Sequence, residues 1–370
     1  MVNTTPIPAG EASAVLRAAW AAQAAGAMTA SFMLHGRPGI GKTEIVQALA
    51  DATGAQLFDL RLTTIEPQDL RGLPYFDHAA QKTVWYRPED LPDDPARPAI
   101  LFLDELTAAA PSLHPTVYGL LQERRVGRHL LPASTFLVAA GNGVADGAIA
   151  YEMGTALSDR LIHLHVVAEV GDWLRNFGAP RGLHPAVLAF LRTRPDLLET
   201  TEAALRRGDT IACTPRSWAR VSQILTTFPD RRIRDVMIAG TVGEAVAAEF
   251  LLIVNDIAAT VQLEEMLEAD PAARRALYPA SMHGLTALTY ALIARADAAT
   301  LPRLIEIMAD IRHLATARGA PFDRLPLAEL VTHGFEGLIR KALERGWQEA
   351  FLSSAAYAAY AAERRAQGLE

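Results

Sequence analysis

Eight consecutive residues, Gly36-Arg37-Pro38-Gly39-Ile40-Gly41-Lys42-Thr43, fit the pattern G-x-x-x-x-G-K-[ST] at every fixed position. This segment constrains the fold more than any other, because its chemistry works only between a strand and a helix. Upstream, Ala30 to His35 reads as a short apolar strand. Downstream, Thr43 to Ala52 carries Ile45, Val46 and Leu49 at helical spacing. Strand, glycine loop and helix together aim backbone N–H groups and a helix N-terminus at one anion. Lys42 supplies a positive charge for the β- and γ-phosphates, and the Thr43 hydroxyl suits Mg²⁺. The pattern predicts an ATP-Mg²⁺ site built from Gly36, Pro38, Gly39, Ile40, Gly41, Lys42, Thr43 and Glu44. The plainer alternative, a glycine-rich turn with an exposed lysine, does not account for the flanking elements.

The 370 residues are enough for two or three domains, each with its own core. A net charge of −7 argues against general nucleic-acid binding but allows a local basic patch. A single cysteine, Cys213, excludes an intramolecular disulfide and any multi-cysteine metal site, in keeping with a reducing cytoplasm. The N-terminus lacks the basic and apolar regions of a secretory signal. Apolar runs such as 100–103 and 250–254 read as too short to span a bilayer.

Residues 11–28 are alanine-rich and read as a leading helix. From Ser31 to about Val167 strand-like and helix-like segments alternate, as in a parallel sheet covered by helices. Beyond Val167 the pattern is helical, with helices expected over 186–191, 217–225, 234–257, 301–316 and 327–345 and a last one in the alanine-rich stretch 355–362. Prolines such as Pro180, Pro195, Pro215 and Pro271 punctuate them.

Three further segments bear chemistry. Ile100-Leu101-Phe102-Leu103-Asp104-Glu105 is an apolar strand ending in two acids, which suits a site where a cation waits. Asp104 is the expected Mg²⁺ partner, alongside Thr43, and Glu105 the base that activates water. Phe136 to Ala140 is another strand, and Asn142 at its tip can hydrogen-bond both water and the γ-phosphate. Arg160, in Ser158-Asp159-Arg160, precedes the strand 161–167 and suits a residue given to a neighbouring subunit, with Asp159 or Glu152 as ordinary local partners. Arg216 follows Thr214-Pro215 in the first turn of a helix, where a cation opposes the dipole and so faces an anion.

In this order, the phosphate loop, Asp104-Glu105, Asn142, Asp159-Arg160 and Thr214-Pro215-Arg216 resemble the motifs of an AAA+ ATPase, most of all those of the MoxR-like branch, related to dynein-type and magnesium-chelatase-type modules. Asp59 to Gly72, with a hairpin around Asp77 to Lys82, resembles that group's helix-2 insert. Leu120 to Gly127 resembles the helix leading to the hairpin before the sensor strand. The resemblance implies a P-loop NTPase α/β core, with parallel sheet sandwiched by helices, over 1–168, a helical lid over 169–260 and a helical extension over 261–370. Asn142 takes the role of sensor 1, Arg160 that of a trans-acting finger and Arg216 that of sensor 2, with Glu105 as the water activator.

The implied protein is a cytoplasmic, hexameric homo-oligomer that hydrolyses ATP to remodel a protein, with a von Willebrand factor A-type partner by analogy and no membrane. The alternative is a nucleic-acid motor that uses Arg124, Arg125, Arg128 and His129 on a pore hairpin. Against it stands pairing of these cations with acids such as Glu123.

Overall fold

The computed structural model describes residues 4–143, 151 and 154–368. Ten strands are present among them: β1 (Pro6–Pro8), β2 (Ser31–His35), β3 (Gln56–Arg61), β4 (Pro74–Asp77), β5 (Lys82–Trp85), β6 (Ala99–Asp104), β7 (Arg125–Val126), β8 (His129–Leu130), β9 (Thr135–Gly141) and β10 (Leu161–Val167). Helices α1 (Ala9–Ala24), α2 (Lys42–Thr53), α3 (Pro67–Arg71), α4 (His114–Tyr118) and α5 (Thr155–Ser158) lie between them. The chain divides into two compact units. One comprises residues 4–169, 201–210 and 214–216, and the other comprises 170–200, 211–213 and 217 onward.

The first unit is a P-loop α/β fold, a six-stranded parallel sheet in the order β1-β10-β2-β9-β6-β3 with helices on both faces. Strands β2, β6 and β9 are buried along their whole length, which explains why they read as continuous apolar runs rather than as alternation. Alternate residues feed two cores. Phe32, Leu34, Ile100, Phe102, Phe136 and Val138 face α1 and α2, while Met33, Leu101, Leu103, Leu137 and Ala139 pack with residues 106–131.

Two strands escape a sequence reading. Pro6–Pro8 pairs only with β10, at the sheet edge, where a missing N–H costs no ladder bond. Gln56–Arg61 is the opposite edge, with three of its six residues exposed and only Leu60 fully buried, so its apolar signal is weak. The hairpin expected around Asp77 to Lys82 is present, with those two residues paired across it. Asp77 stabilises its turn by accepting from the Ala79 and Ala80 N–H groups at 3.0 Å each.

Helices of the remaining chain are α6 (Val170–Trp173), α7 (Pro185–Thr193), α8 (Thr201–Arg207), α9 (Pro215–Thr227), α10 (Arg231–Val242), α11 (Glu244–Thr260), α12 (Leu263–Glu268), α13 (Pro271–Ala276), α14 (Met282–Arg295), α15 (Leu301–Ile311), α16 (Leu314–Arg318), α17 (Leu327–Arg345), α18 (Glu349–Leu352) and α19 (Ala355–Ala366). Of these, α8 belongs to the first unit. No strand follows Val167 among the described residues.

The helix expected over 234–257 is two helices, because Gly243, at φ 87°, takes a left-handed turn between α10 and α11. The one expected over 301–316 stops at Ile311 and resumes at Leu314. Phe190, Trp218 and Phe250 form an aromatic cluster in the second unit, with ring centroids 5.2–5.5 Å apart. Arg274 is buried there against Asp310 at 2.6 Å.

The segment 250–254 is the middle of a longer apolar stretch. Glu244–Glu268 is long and apolar enough to cross a membrane by length and composition, with a mean hydropathy of 1.6 over 18 residues. A single stretch of this kind is weak support for a span.

Candidate nucleotide site

Parallel pairing places the C-terminal ends of β2, β9 and β6 side by side, and the loops leaving them carry Gly36 to Gly41, Asn142 and Asp104-Glu105. In open α/β sheets this rim is where ligands bind. The phosphate loop turns through Gly39 and Gly41, whose φ values of 81° and 103° disfavour a side chain. A Cβ on Gly39 would also come within 2.9 Å of the Thr214 hydroxyl. Close by, the Arg216 N–H donates to the Gly39 carbonyl at 3.1 Å, so the segment that carries Arg216 is fastened to the loop. Ile40 turns inward to the core, and Glu44 is exposed in the first turn of α2.

Lys42 is buried, and its ammonium donates to the Gly36 carbonyl at 2.6 Å, the Arg37 carbonyl at 3.1 Å and Asn142 Oδ1 at 2.8 Å. These three acceptors are uncharged. The loop lysine and Asn142 therefore already touch, although they are a hundred residues apart. The Thr43 hydroxyl donates to Asp104 Oδ2 at 3.4 Å. No group of three or more His, Cys, Asp or Glu residues able to hold a metal is found among the described residues. A hydroxyl and one carboxylate suit Mg²⁺, which keeps most of its waters and takes the rest of its shell from substrate phosphates.

Glu105 stands in the left-handed region at φ 60°, an uncommon position for a residue with a Cβ. Its N–H donates to Asp104 Oδ1 at 2.8 Å, its carboxylate accepts from the Thr63 hydroxyl, and Arg61 Nε lies 3.9 Å away. Nearby, burial first and Asp104 second raise the Asp59 carboxyl above its usual range, with Arg61 opposing.

Motif reading misses Thr107. Its buried hydroxyl accepts the Asn142 N–H at 3.0 Å, and a Cβ on Gly141 would lie only 2.5 Å from that oxygen. Thr107 thus fixes the backbone of Asn142, and Gly141 leaves room for it to do so. Thr107→Val is expected to leave that N–H without its acceptor and cost about 1–3 kcal/mol. Thermal unfolding would register the loss, and ATP turnover is expected to fall while nucleotide affinity holds.

His35, directly before the loop, donates from Nε2 to His163 Nδ1 at 2.7 Å, and His163 Nε2 donates to the Ser158 carbonyl at 2.8 Å. Because a carbonyl only accepts, His163 carries a proton on Nε2, which leaves its Nδ1 as the atom that meets the His35 ring. Burial, reinforced by His163, His165 and Lys42, lowers the pKa of His35 from 6.5 to about 4. The unfolded chain therefore takes up this proton at higher pH than the folded one. The stabilisation is complete above about pH 6.5 and is lost as pH falls towards 4, a change of at most about 3 kcal/mol. In His35→Asn, unfolding free energies measured across that window are expected to slope less steeply.

Arg160 lies elsewhere. It follows α5, and Leu161, the next residue, is in register with Ser31, whereas His35 is in register with His165. The backbone of Arg160 is therefore at the opposite end of β2 from the phosphate loop, four strand steps or about 13 Å away. Its Nε donates to Gln122 Oε1 at 2.6 Å; Glu152, one of its two expected local partners, lies outside the described residues.

The hairpin cations are mostly engaged. Arg124 is turned inward to the Thr135 carbonyl, Arg125 pairs with Glu123 at 2.7 Å, and His129 meets the Arg71 carbonyl at 3.1 Å. Arg124 is accordingly not a surface charge of the hairpin, and burial lowers its pKa.

Solved structures similar to this chain include the Thermotoga maritima RuvB Holliday junction branch migration motor, at 15% identity over 90% of this chain and 87% of that one, with a TM-score of 0.31. Another is a presumed ATPase from Cytophaga hutchinsonii, at 13% identity over 86% and 78%, with a TM-score of 0.32. No curated protein matches. Residues 31–161, which run from the first buried strand to the start of β10, match the family described as AAA domain (dynein-related subfamily), so the site lies in a domain of the AAA class.

Proposed function

We propose that this chain is an ATPase that converts ATP and water to ADP and phosphate as a cytoplasmic, hexameric homo-oligomer, and that it remodels a protein partner as MoxR-like AAA+ proteins do. The observation that carries the reading is the convergence of Lys42, Thr43, Asp104, Glu105 and Asn142 on one rim of the sheet, with Arg160 at the opposite end.

In this reading the loop amides, Lys42 and Arg216 would hold the triphosphate, and Thr43 and Asp104 would hold Mg²⁺, which would supply charge neutralisation. Glu105 takes a proton from the attacking water, and Asn142, held by Thr107, orients that water. Lys42 exchanges backbone carbonyls for phosphate oxygens while keeping Asn142 within reach. Arg160 serves the site of the next subunit. Residues 169–260, with Arg216 near their middle, act as the lid, and 261–370 as an extension that meets a partner, a von Willebrand factor A-type protein by analogy.

Particle imaging of the Glu105→Gln protein with ATP, together with identification of what co-purifies, tests the proposal. Rings holding a protein partner are expected; a monomer would contradict it. The nucleic-acid reading gains little from the hairpin, where Arg128 alone of the three arginines has neither an ion pair nor an internal acceptor among the described residues. Salt-sensitive DNA binding would revive it.

A further inference from the structure

The helical unit contains a cavity of about 120 Å³ that no step of the nucleotide chemistry uses. Its walls come from α14, α17 and residues 174–182. The floor is apolar and buried, formed by Leu174, Ile293 and the ring of Tyr290. Its upper wall is charged: Arg175, Arg340, Lys341 and Arg345 line it against two carboxylates, Glu336 and Glu344.

Four cations facing two acids is an excess of positive charge in a chain whose net charge is −7. The two acids do not relieve it, since none of these six residues forms an ion pair among the described residues. Lys341 spends its ammonium on the carbonyls of Ile293 and Ala294, each at 2.8 Å, and Arg340 donates to the Arg175 carbonyl at 2.9 Å. Those acceptors fix where the cations stand and leave their charges uncancelled. Burial first and Arg345 second push the Lys341 pKa below its usual value, with Asp297 opposing.

The cavity is also preformed. Gly337 brings α17 so close to α14 that a Cβ would lie 2.5 Å from Ile293 Cδ1. The His333 ring is held against the Tyr290 hydroxyl at 3.1 Å. That ring stays neutral, with its pKa lowered to about 4 by burial and by Arg192, Arg175 and Arg340.

We propose that this cavity is a binding site for a small organic oxyanion, a carboxylate or phosphate carried on an apolar body of about the size of one ring. The size follows from the volume, since a cavity of comparable size accepts benzene. The charge follows from the wall, where guanidinium groups suit planar oxyanions. The site is distinct from the phosphate loop and independent of the ATPase reading.

Benzoate and phenyl phosphate are the probes, with benzyl alcohol as the neutral counterpart, added to the full-length Lys42→Ala protein so that the phosphate loop does not compete. The His333 ring signals, assigned with His333→Gln, are followed by NMR. Both anions are expected to shift these signals in a saturable way and to raise the pKa of His333, whereas the alcohol leaves the pKa unchanged. Arg175→Gln combined with Arg340→Gln should weaken anion binding at least about tenfold; both side chains are exposed, so the fold is expected to survive. Stronger binding of one anion distinguishes a carboxylate from a phosphate ligand. Absence of any saturable shift, or binding indifferent to the paired substitution, would overturn the proposal.

Discussion

An Arg160→Ala protein is expected to bind ATP as the unaltered protein does and to hydrolyse it about 10³-fold more slowly or worse, the range found when an arginine finger is removed. Register is the reason. Leu161 pairs with Ser31 at the start of β2 and the phosphate loop begins after His35 at its end, so the strand itself stands between Arg160 and its own Lys42. An extended arginine side chain does not bridge that length and still aim at a γ-phosphate. If Arg160 acts at all, it acts on another copy.

Mixing supplies the check. Arg160→Ala and Lys42→Ala proteins, each inactive alone, are expected to regain part of the activity together, because one contributes an intact loop and the other an intact arginine. Wild-type turnover by Arg160→Ala alone would end the interface mechanism.

Glu105→Gln is the second large effect. Loss of a general base costs about 10²–10⁴ in rate, and the amide keeps the size of the side chain and can still meet the Thr63 hydroxyl. Nucleotide binding is expected to hold, so ATP should accumulate unhydrolysed on the protein. Radiolabelled nucleotide recovered after rapid filtration would distinguish trapped ATP from ADP. Recovery of ADP at the normal rate would remove Glu105 from the mechanism and leave Asp104 and Asn142 to be explained anew.

The nucleotide rim was legible in the residues because its parts are local. A phosphate loop is one unbroken octapeptide, and an apolar strand that ends in Asp104-Glu105 advertises itself without any knowledge of its neighbours. Contacts across strands were not legible. Thr107 follows the acids by only a few residues, yet its role depends on β9 lying beside β6 and on Gly141 having no side chain. The partners of Glu105, Thr63 and Arg61, sit just past or at the end of an edge strand whose exposed residues give little periodic signal. His35 and His163 meet only because β10 pairs with β2 in one register. In the helical unit, Gly243 was the missed signal: helical spacing ran through it, and its backbone conformation broke the helix.

The chain leaves the nucleotide-binding unit at residue 169, returns for 201–210, and returns again for 214–216. A shortened protein ending near 169 would thus keep every strand and lose Thr214 and Arg216 at Gly39. For anyone dissecting the molecule, the independent piece is not the one the sheet suggests: a cut that spares the loop's later neighbours has to fall beyond 216, inside α9 or after it.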